Sequence, residues 1–439
     1  MDLKLAFTDK EITPWSGIAL LCQMLEQMNF DSVLEQLELP APGSNRGFAP
    51  QQLIKQFLTS VWCGANRFEH CEVTRQDEVM RQIWGFRAMA GHKSFQRFFR
   101  KHTLALNQRL FTTLYQWFFQ QLNFATLTLD IDSTVLPRHG HQQGATRGYN
   151  PQRPGRNSHH PLIAFVAEIN MVANFWLRSG DAYASNNMEA FVANTIERLQ
   201  GRTIGLLRGD SGFFNARILH YLEQCDQCAD YIIAIRLHKP YQQLICAQKT
   251  WLSVGGAEVA ETWHQAPGWP CARRIIMVRQ KNTLIRKDAG GKALTLFADQ
   301  QPYADYRYSC FVTTLKLSPA LVWEVYRQRA TAENRIKELK YDFGADSFNL
   351  QDFAATEAAL SWVMMAYNFI SLFRHTVLQS SINQRMKTLR YEVFAIGGYI
   401  VKKGTQRFLK LSLAMKKREW FTGLWDQSKT FSLPVAYNS

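Results

Sequence analysis

Hydrophobic residues recur at three- and four-residue spacing in the first third of the chain. The segments QQLIKQFLTSVW and RLFTTLYQWFFQQL follow this spacing, which is the period of an amphipathic helix. We therefore predict successive helices between about Pro50 and Leu122. Residues 1–122 are expected to form a helical N-terminal domain.

The period of the pattern changes at Leu127. In ATLTLDIDSTV, apolar residues alternate with polar ones, as in a strand with one buried face, so Asp130 and Asp132 share the other face. Further strand candidates are PLIAFVAEI, RTIGLLRGD and DYIIAIRL, and MEAFVANTIERLQ is helix-like. The central region is therefore predicted to be mixed α/β.

Short β-rich runs such as RRIIMVRQ and ALTLFAD follow, separated by Gly, Pro and Asn. They predict an inserted β-rich module over residues 239–305. The α/β pattern then resumes with the strand YRYSCFVTTL and one long helix from about Pro319 to Tyr341.

The longest uncharged apolar stretch runs from Ala358 to Phe373. It is shorter than the roughly 20 residues of a membrane span and contains Ser361 and Asn368, so it predicts a buried helix. Residues 379–439 are expected to form a basic tail. Its cations are Lys402, Lys403, Arg407, Lys410, Lys416, Lys417 and Arg418.

Composition and charge indicate a folded protein with an anionic partner. The 439 residues are 46% hydrophobic and 20% charged, the balance of a folded chain with two or three domains. A net charge of +15 indicates a polyanionic partner, with nucleic acid first. Because the cations are spread along the chain, an anionic membrane is disfavoured. No secretory signal is visible at the N-terminus, so we expect a cytoplasmic protein.

Only one cysteine pair has the spacing of a metal site. Cys225 and Cys228 form a CxxC, but no second pair or histidine cluster completes a zinc site nearby. Ordinary reduced thiols, in a helix and the turn after it, are the preferred interpretation.

A cationic helix is predicted in GHKSFQRFFRKH, with Ser94 as its N-cap. Arg97, Arg100 and Lys101 follow among phenylalanines and are candidates for DNA contact, since such a helix can enter a groove. The alternative is a packed helix whose charged face is merely solvated.

Three carboxylates form the candidate catalytic set. Asp132 and Asp210 each lie at the end of a predicted strand, where side chains distant in sequence can converge. Glu333 lies on the predicted long helix. Such oxygen ligands suit Mg²⁺, and two ions can stabilise the attacking and leaving oxygens of a displacement at phosphorus. The chemistry indicated is phosphodiester hydrolysis or transesterification.

The same helix carries further candidates. Tyr326, Arg329, Glu333 and Lys340 are spaced so that one face of a continuous helix presents all four. Arg329 and Lys340 would neutralise DNA phosphates, and Tyr326 would add a hydroxyl contact.

This spacing matches the Y-R-E-K signature of bacterial insertion-sequence transposases, which the chain resembles from about Leu127 to Phe373. DIDST and RGDSGF resemble the two aspartate motifs of that family, and GHQQGATRGYNP resembles its close members. The resemblance implies a ribonuclease-H-like mixed sheet with flanking helices over residues 123–238 and 306–378, interrupted by a β-rich insertion.

The resemblance also implies roles for individual residues. Asp132, Asp210 and Glu333 would bind two Mg²⁺ ions, for which Mn²⁺ can substitute. Tyr326, Arg329 and Lys340 would contact DNA. Asp130 is an alternative to Asp132, which is preferred because it directly precedes the Ser-Thr pair of the motif. Two interpretations stay open for His139 and His141. They could contact the substrate or a general-acid proton, or they could lie in an ordinary turn where backbone groups satisfy their side chains. For Trp323, core packing is preferred over base stacking.

The function implied is a DNA transposase that cuts the terminal inverted repeats of its element and joins them to target DNA. Its expected partners are double-stranded DNA, as transposon ends and target, and a second copy of the chain, in the bacterial cytoplasm near the nucleoid and away from membranes. The alternatives are a ribonuclease-H-like nuclease without strand transfer and a non-catalytic DNA-binding relative.

Overall fold

The computed structural model describes residues 3–124, 126–150, 153–282, 305–380 and 384–437. Short helices dominate the chain up to Gln120, as predicted from the helical period. They are α1 (Ile18–Gln27), α2 (Phe30–Gln36), α3 (Pro50–Trp62), α4 (Glu72–Arg75), α5 (Glu78–Ile83), α6 (His92–Phe99) and α7 (Leu104–Gln120), with a 3-10 turn at Phe68–Cys71.

Strands and helices alternate through the middle of the chain. The strands up to residue 234 are β1 (Leu122–Asn123), β2 (Thr126–Ser133), β3 (Leu136–Pro137), β4 (Thr146–Arg147), β5 (Asn157–His159), β6 (Leu162–Val166), β7 (Met171–Trp176), β8 (Thr203–Gly209) and β9 (Cys228–Ala234). The helices α8 (Met188–Arg198) and α9 (Ala216–Gln224) flank β8. The predicted strands and the predicted helix of this region are confirmed.

The remaining elements complete the sheet and its helical cover. They are α10 (Lys239–Ala247), β10 (Leu252–Val254), β11 (Ala257–His264), β12 (Arg273–Lys281), β13 (Tyr306–Thr313), α11 (Pro319–Arg327), α12 (Ala330–Tyr341), α13 (Phe353–Phe373), α14 (Met386–Leu389), β14 (Gly398–Lys403), β15 (Gln406–Leu411), α15 (Met415–Thr430) and β16 (Val435–Ala436), with π-helical turns at Arg374–Leu378 and Arg390–Phe394.

One nine-stranded mixed sheet organises the molecule, in the order β10-β11-β12-β13-β9-β8-β2-β6-β7. Strand β2 pairs in parallel with β8 and antiparallel with β6, and β8 pairs in parallel with β9. The carboxyl ends of β2, β8 and β9 therefore lie at the same edge of the sheet.

The sheet is covered on both faces. Along β12, Ile275 and Met277 belong to the main hydrophobic cluster, whereas Ile276 and Val278 pack in a second cluster with α11. Burial on both faces explains why this strand is a continuous apolar run instead of an alternating one. Trp323 lies in the second cluster and is 8% exposed, so its predicted core packing is confirmed.

Helix α13 is the buried helix predicted from the apolar stretch. The Asn368 side-chain amide bonds both backbone groups of Val172 on β7, at 2.7 and 2.8 Å. On its other side, the Trp62 indole of α3 donates to the Ala366 carbonyl at 3.1 Å. The helix thus joins the N-terminal helices to the sheet in one core. Over the described residues, no helix is long and apolar enough to cross a membrane.

The segment at 239–305 differs from a separate β module. It begins with helix α10, and β10, β11 and β12 extend the main sheet through β13. Pairing with β13 places β12 in the main sheet, where two hydrophobic clusters cover its two faces. The candidate strand ALTLFAD lies outside the described residues.

The basic C-terminal region is folded instead of forming a tail. Strands β14 and β15 make a two-stranded antiparallel ribbon, and α15 packs against α1. The thiols of Cys225 and Cys228 are free. Cys225 caps α9, but Cys228 is the first residue of β9 and does not lie in a turn.

Candidate active site

Asp132 and Asp210 are brought together by the parallel pairing of β2 and β8. The last paired residues of these strands are Ile131 and Gly209, and each aspartate is the next residue in its chain. Neighbouring strands lie roughly 4.8 Å apart, so the two aspartates lie side by side at this edge of the sheet.

The turn after β8 orients Asp210. The Gly212 amide donates to Asp210 Oδ1 at 2.8 Å. A Cβ at position 212 would lie 3.0 Å from the same oxygen, so the close approach of backbone and carboxylate favours glycine here. Helix α9 begins after this turn, at Ala216.

Asp130 lies on the same strand but in a different environment. It is fully buried, and its two oxygens accept from Arg208 Nε at 2.6 Å and Nη2 at 3.0 Å. Arg335 of α12 lies 3.5 Å from the same carboxylate. Arg208 also donates to the Val325 carbonyl at 2.6 Å. This buried cluster joins β2, β8, α11 and α12 directly beneath the strand ends. The Asp130 carboxylate is therefore already paired with arginines.

The predicted long helix is two helices. Between α11 and α12, backbone N–H groups of Arg329, Thr331 and Ala332 bond carbonyls three residues back, the tighter pattern of a 3-10 turn. Arg329 is buried at this break, where its Nη2 donates to the Ile131 carbonyl at 3.0 Å and lies 3.3 Å from Asp132 Oδ2. The expectation of one continuous helix from about Pro319 to Tyr341 was therefore wrong, because the chain tightens into a 3-10 turn where Arg329 contacts the end of β2.

Glu333 lies in the first turn of α12 with an exposed side chain. Its charge is close enough to act on Asp132: burial raises the pKa of Asp132 to about 6, Arg329 opposes this, and Asp210 and Glu333 add to the rise. The three carboxylates thus share one electrostatic environment, in which negative charge on Asp132 is unfavourable. A cation bound there would relieve that cost.

Tyr326 and Lys340 are held by backbone groups near the same strand ends. The Tyr326 hydroxyl lies 3.4 Å from the Gly209 carbonyl, and Lys340 Nζ donates to the Val135 carbonyl at 2.9 Å. Burial raises the pKa of Tyr326 and lowers the pKa of Lys340. Both side chains are therefore partly built into the fold, and Lys340 is more than a solvated cation.

The N-terminal cations lie elsewhere. Helix α6 begins at His92, and its N-cap is Gly91, so the prediction of Ser94 as the N-cap was wrong. Gly91 has an extended backbone, and the helical conformation begins directly after it. Arg97 is on the helix, Arg100 caps its end, and Lys101 follows it. All three are exposed while the phenylalanines pack inward. Arg97 and Lys101 line an open pocket of about 470 Å³.

His160 is a site residue that the sequence did not reveal. Its charge interactions include Asp210 and Lys340, and its Nδ1 bonds the Ala182 carbonyl at 2.9 Å. Pairing of Ser133 with Leu162 places His160 next to the end of β2, and such register cannot be read from one strand alone. His139 instead contacts Arg156, at 2.8 Å.

The donor set suits a hard divalent cation, since it consists of carboxylate oxygens beside a buried, charge-destabilised aspartate. Among the described residues, however, no three His, Cys, Asp or Glu side chains are grouped closely enough to hold a metal ion. Glu333 is the exposed member, and its side chain is the one free to approach the two aspartates.

Comparison with known proteins gives two findings. Residues 1–430 match the family model described as transposase DDE domain, group 1. The fold is similar to a piggyBac transposase in a synaptic complex with hairpin DNA, solved by cryo-EM, with a TM-score of 0.46 and 13% identity over 86% of this chain and 78% of that chain. No curated protein matches.

The family match spans nearly the whole chain and includes the two strand ends, the turn between α11 and α12, and the ribbon. Membership implies divalent-metal dependence in general terms. The chain therefore belongs to the DDE transposase family, group 1.

Proposed function

We propose that this protein binds the terminal inverted repeats of its mobile element, cleaves DNA at the element ends and joins the freed 3′-hydroxyls to target DNA. The observation that carries the proposal is the adjacency of Asp132 and Asp210 beyond the paired residues Ile131 and Gly209, with Glu333 acting on Asp132. Both reactions are displacements at phosphorus and can use one site.

In this proposal, strands β7, β6, β2, β8 and β9 are the core of a ribonuclease-H-like domain over residues 123–238 and 306–378. Residues 239–305 are an insertion that widens its sheet, and residues 1–122 and 379–439 flank it. A domain boundary at residue 122 remains a prediction, because one hydrophobic cluster spans both sides.

Asp132, Asp210 and Glu333 would hold two Mg²⁺ ions, or Mn²⁺ in their place. The metal would supply charge stabilisation at the attacking and leaving oxygens. The chain's own groups have separate tasks. Arg329 holds the end of β2 and the start of α12 together through Ile131 and Asp132. Its guanidinium thereby keeps the first and third carboxylates in register.

Cationic side chains around the carboxylates would bind the DNA backbone. Lys340 lies beside the end of β2, and its half-buried ammonium would meet a phosphate at lower desolvation cost than a fully hydrated one. Tyr326 would contribute a hydroxyl contact. Arg97, Arg100 and Lys101 form a second exposed group on and after α6. The proposed partners are double-stranded DNA and a second copy of the chain. Each copy of the chain would bind one transposon end.

The test uses duplexes that carry the inverted repeats flanking the gene. Asp132→Asn, Asp210→Asn and Glu333→Gln should each abolish nicking while retaining DNA binding, because the basic surface supplies affinity. The matched control is Glu324→Gln, which changes an exposed glutamate of α11 and should cleave normally. If Glu333→Gln nicked DNA at the wild-type rate, Glu333 would not be a metal ligand of the site.

Two outcomes would replace the proposal by an alternative. Cleavage without joining to target DNA would indicate a nuclease of the same fold. Binding of the repeats with no cleavage by the unmodified protein, in either Mg²⁺ or Mn²⁺, would indicate a non-catalytic relative.

A further inference from the structure

The ribbon of β14 and β15 and the start of α15 carry a concentration of positive charge that no acidic side chain of the described residues neutralises. No Asp or Glu occurs from Val393 to Arg418, a span that contains seven Lys and Arg residues. Along the described parts of the chain, none of the seven forms an ion pair, and all are exposed. Such charge is available to an anionic partner.

The register of the ribbon places some of these charges against each other. Lys402 is directly opposite Arg407, an arrangement that destabilises a strand pair by repulsion of like charges. The helix that follows has the same character: Lys416, Lys417 and Arg418 lie in the first turn of α15, where the helix dipole disfavours cations. Stability does not explain either placement, so binding is the better explanation.

The base of the ribbon is fixed and its tip projects. Gly398 and the buried Thr13 exchange backbone hydrogen bonds of 2.9 and 3.0 Å. A Cβ on Gly398 would meet Ser16 Oγ at 2.3 Å, so only glycine allows this contact. From Lys402 to Phe408 every residue is exposed. The ribbon is thus a paired two-stranded projection whose base is held by the fold.

The chain before the ribbon is attached to the helix of the candidate site. The Met386 amide donates to Glu338 Oε1 at 2.7 Å, and the Lys387 amide donates to Asp342 Oδ2 at 3.3 Å. Glu338 and Asp342 belong to the second half and C-cap of α12, whose first turn carries Glu333. A ligand held by the ribbon would therefore be held at a defined position relative to the catalytic helix.

The distribution of charge over the two faces selects the kind of anion. In the register, Lys402 and Arg407 point to one face, whereas Lys403 and Lys410 point to the other. A flat lipid surface would contact one face only. The major groove of duplex DNA, about 12 Å wide, admits a two-stranded ribbon and has a phosphate backbone on both sides.

We infer that the β14–β15 ribbon inserts into a DNA groove, with Lys402 and Arg407 contacting one phosphate backbone and Lys403 and Lys410 the other. The cations at the start of α15 extend the contact along the duplex. The inference rests on the proposed function and specifies which surface of the protein anchors the DNA outside the carboxylate site.

The test compares two charge-matched double variants of the full chain by salt titration of binding to a 40-base-pair duplex that carries one inverted repeat. Lys402→Gln/Arg407→Gln should reduce the slope of log K against log salt by about 1.8, that is about 0.9 for each lost phosphate contact. Its melting temperature should stay level or rise, because the opposed charges are gone. Lys281→Gln/Arg307→Gln removes the same charge from exposed positions on β12 and β13 and should leave the slope nearly unchanged.

An unchanged slope for the ribbon variant, or equal losses in both variants, would overturn the inference while leaving cleavage by the unmodified protein as separate support for the proposed function. Conversely, ribbon-dependent binding without any cleavage would support the ribbon and refute the transposase chemistry. Binding of phosphatidylserine vesicles that depends on Lys402 and Arg407, without a ribbon effect on duplex binding, would assign the surface to a membrane and also overturn the inference.

Discussion

Removing the Asp130 carboxylate should destabilise the protein strongly. Asp130 and Arg208 are 0% and 3% exposed as side chains and form a two-point ion pair. Asp130→Leu would leave the Arg208 guanidinium buried with the Val325 carbonyl as its remaining partner. Breaking a buried pair from one side costs about 3 to 5 kcal/mol, so we expect a loss of that size in the free energy of unfolding.

The double variant Asp130→Leu/Arg208→Leu separates the pair from general packing. Because it leaves no unpaired charge of this pair, it should be less destabilised than the sum of the two single variants by about 1 to 3 kcal/mol. Unfolding in urea, followed by circular dichroism, measures all three. Arg217→Ala is the control, since its ion pair with Glu189 is on the surface, with Arg217 82% exposed, and it should leave the free energy of unfolding nearly unchanged.

Two results would refute the reasoning about Asp130. Strictly additive losses would show that the ion pair is not an energetic unit. A single-variant loss below about 1 kcal/mol would show that the buried charge finds other partners. The same variants also address catalysis: Asp130→Leu protein that remains folded should retain some nicking, whereas Asp132→Asn should have none, and the reverse order would transfer the ligand role to Asp130.

Three further predictions concern other parts of the chain. Lys340→Ala should weaken end binding or shift the cut site. Because it also removes a half-buried hydrogen bond to the Val135 carbonyl, it should lower stability by about 1 kcal/mol. Lys337→Ala, an exposed control on the same helix, should do neither, and equal behaviour of the two variants in melting and cleavage mapping would contradict this prediction. The hydrogen bond from the His92 backbone amide is the main cause that lowers the pKa of Glu72 from 4.5 to about 2. Glu72 therefore stabilises the fold above pH 4.5, and this contribution is lost as the pH falls towards 2. Acid unfolding should show a Glu72→Gln deficit that shrinks over that range, and a constant deficit would argue against it. Chelation by EDTA should stop cleavage without releasing DNA in a mobility-shift assay, and added Mg²⁺ or Mn²⁺ should restore it; cleavage that persists in EDTA would exclude a metal role for the carboxylates.

Local patterns in the sequence were sufficient for much of the fold. Period-two alternation identified β2 as a strand, and period-3.6 spacing identified the N-terminal helices and α13, because both depend only on which side chains face the core. The candidate carboxylates could be named for a similar reason. Asp132 and Asp210 stand at the ends of apolar strands, and Glu333 belongs to a signature with fixed spacing.

Tertiary structure alone decided how these pieces meet. Pairing between β2, β6 and β8 joins segments far apart in sequence, so it set the adjacency of Asp132 with Asp210 and the position of His160. The break before α12 accompanies contacts of Arg329 with β2. Helical propensity cannot predict these contacts, because it depends only on residues that are near in sequence.

The burial of Asp130 and the shape of the basic C-terminus have the same explanation. The sequence shows that Asp130 and Asp132 share a strand face, but only the packed arginines distinguish a neutralised structural carboxylate from one that other carboxylates repel. Likewise, the sequence shows seven cations between residues 402 and 418, whereas the strand register determines that four of them, Lys402, Lys403, Arg407 and Lys410, lie on both faces of a ribbon. Sequence pattern reports each residue's preference for water or core; which charges then meet depends on contacts between distant segments, whose energies no local pattern encodes.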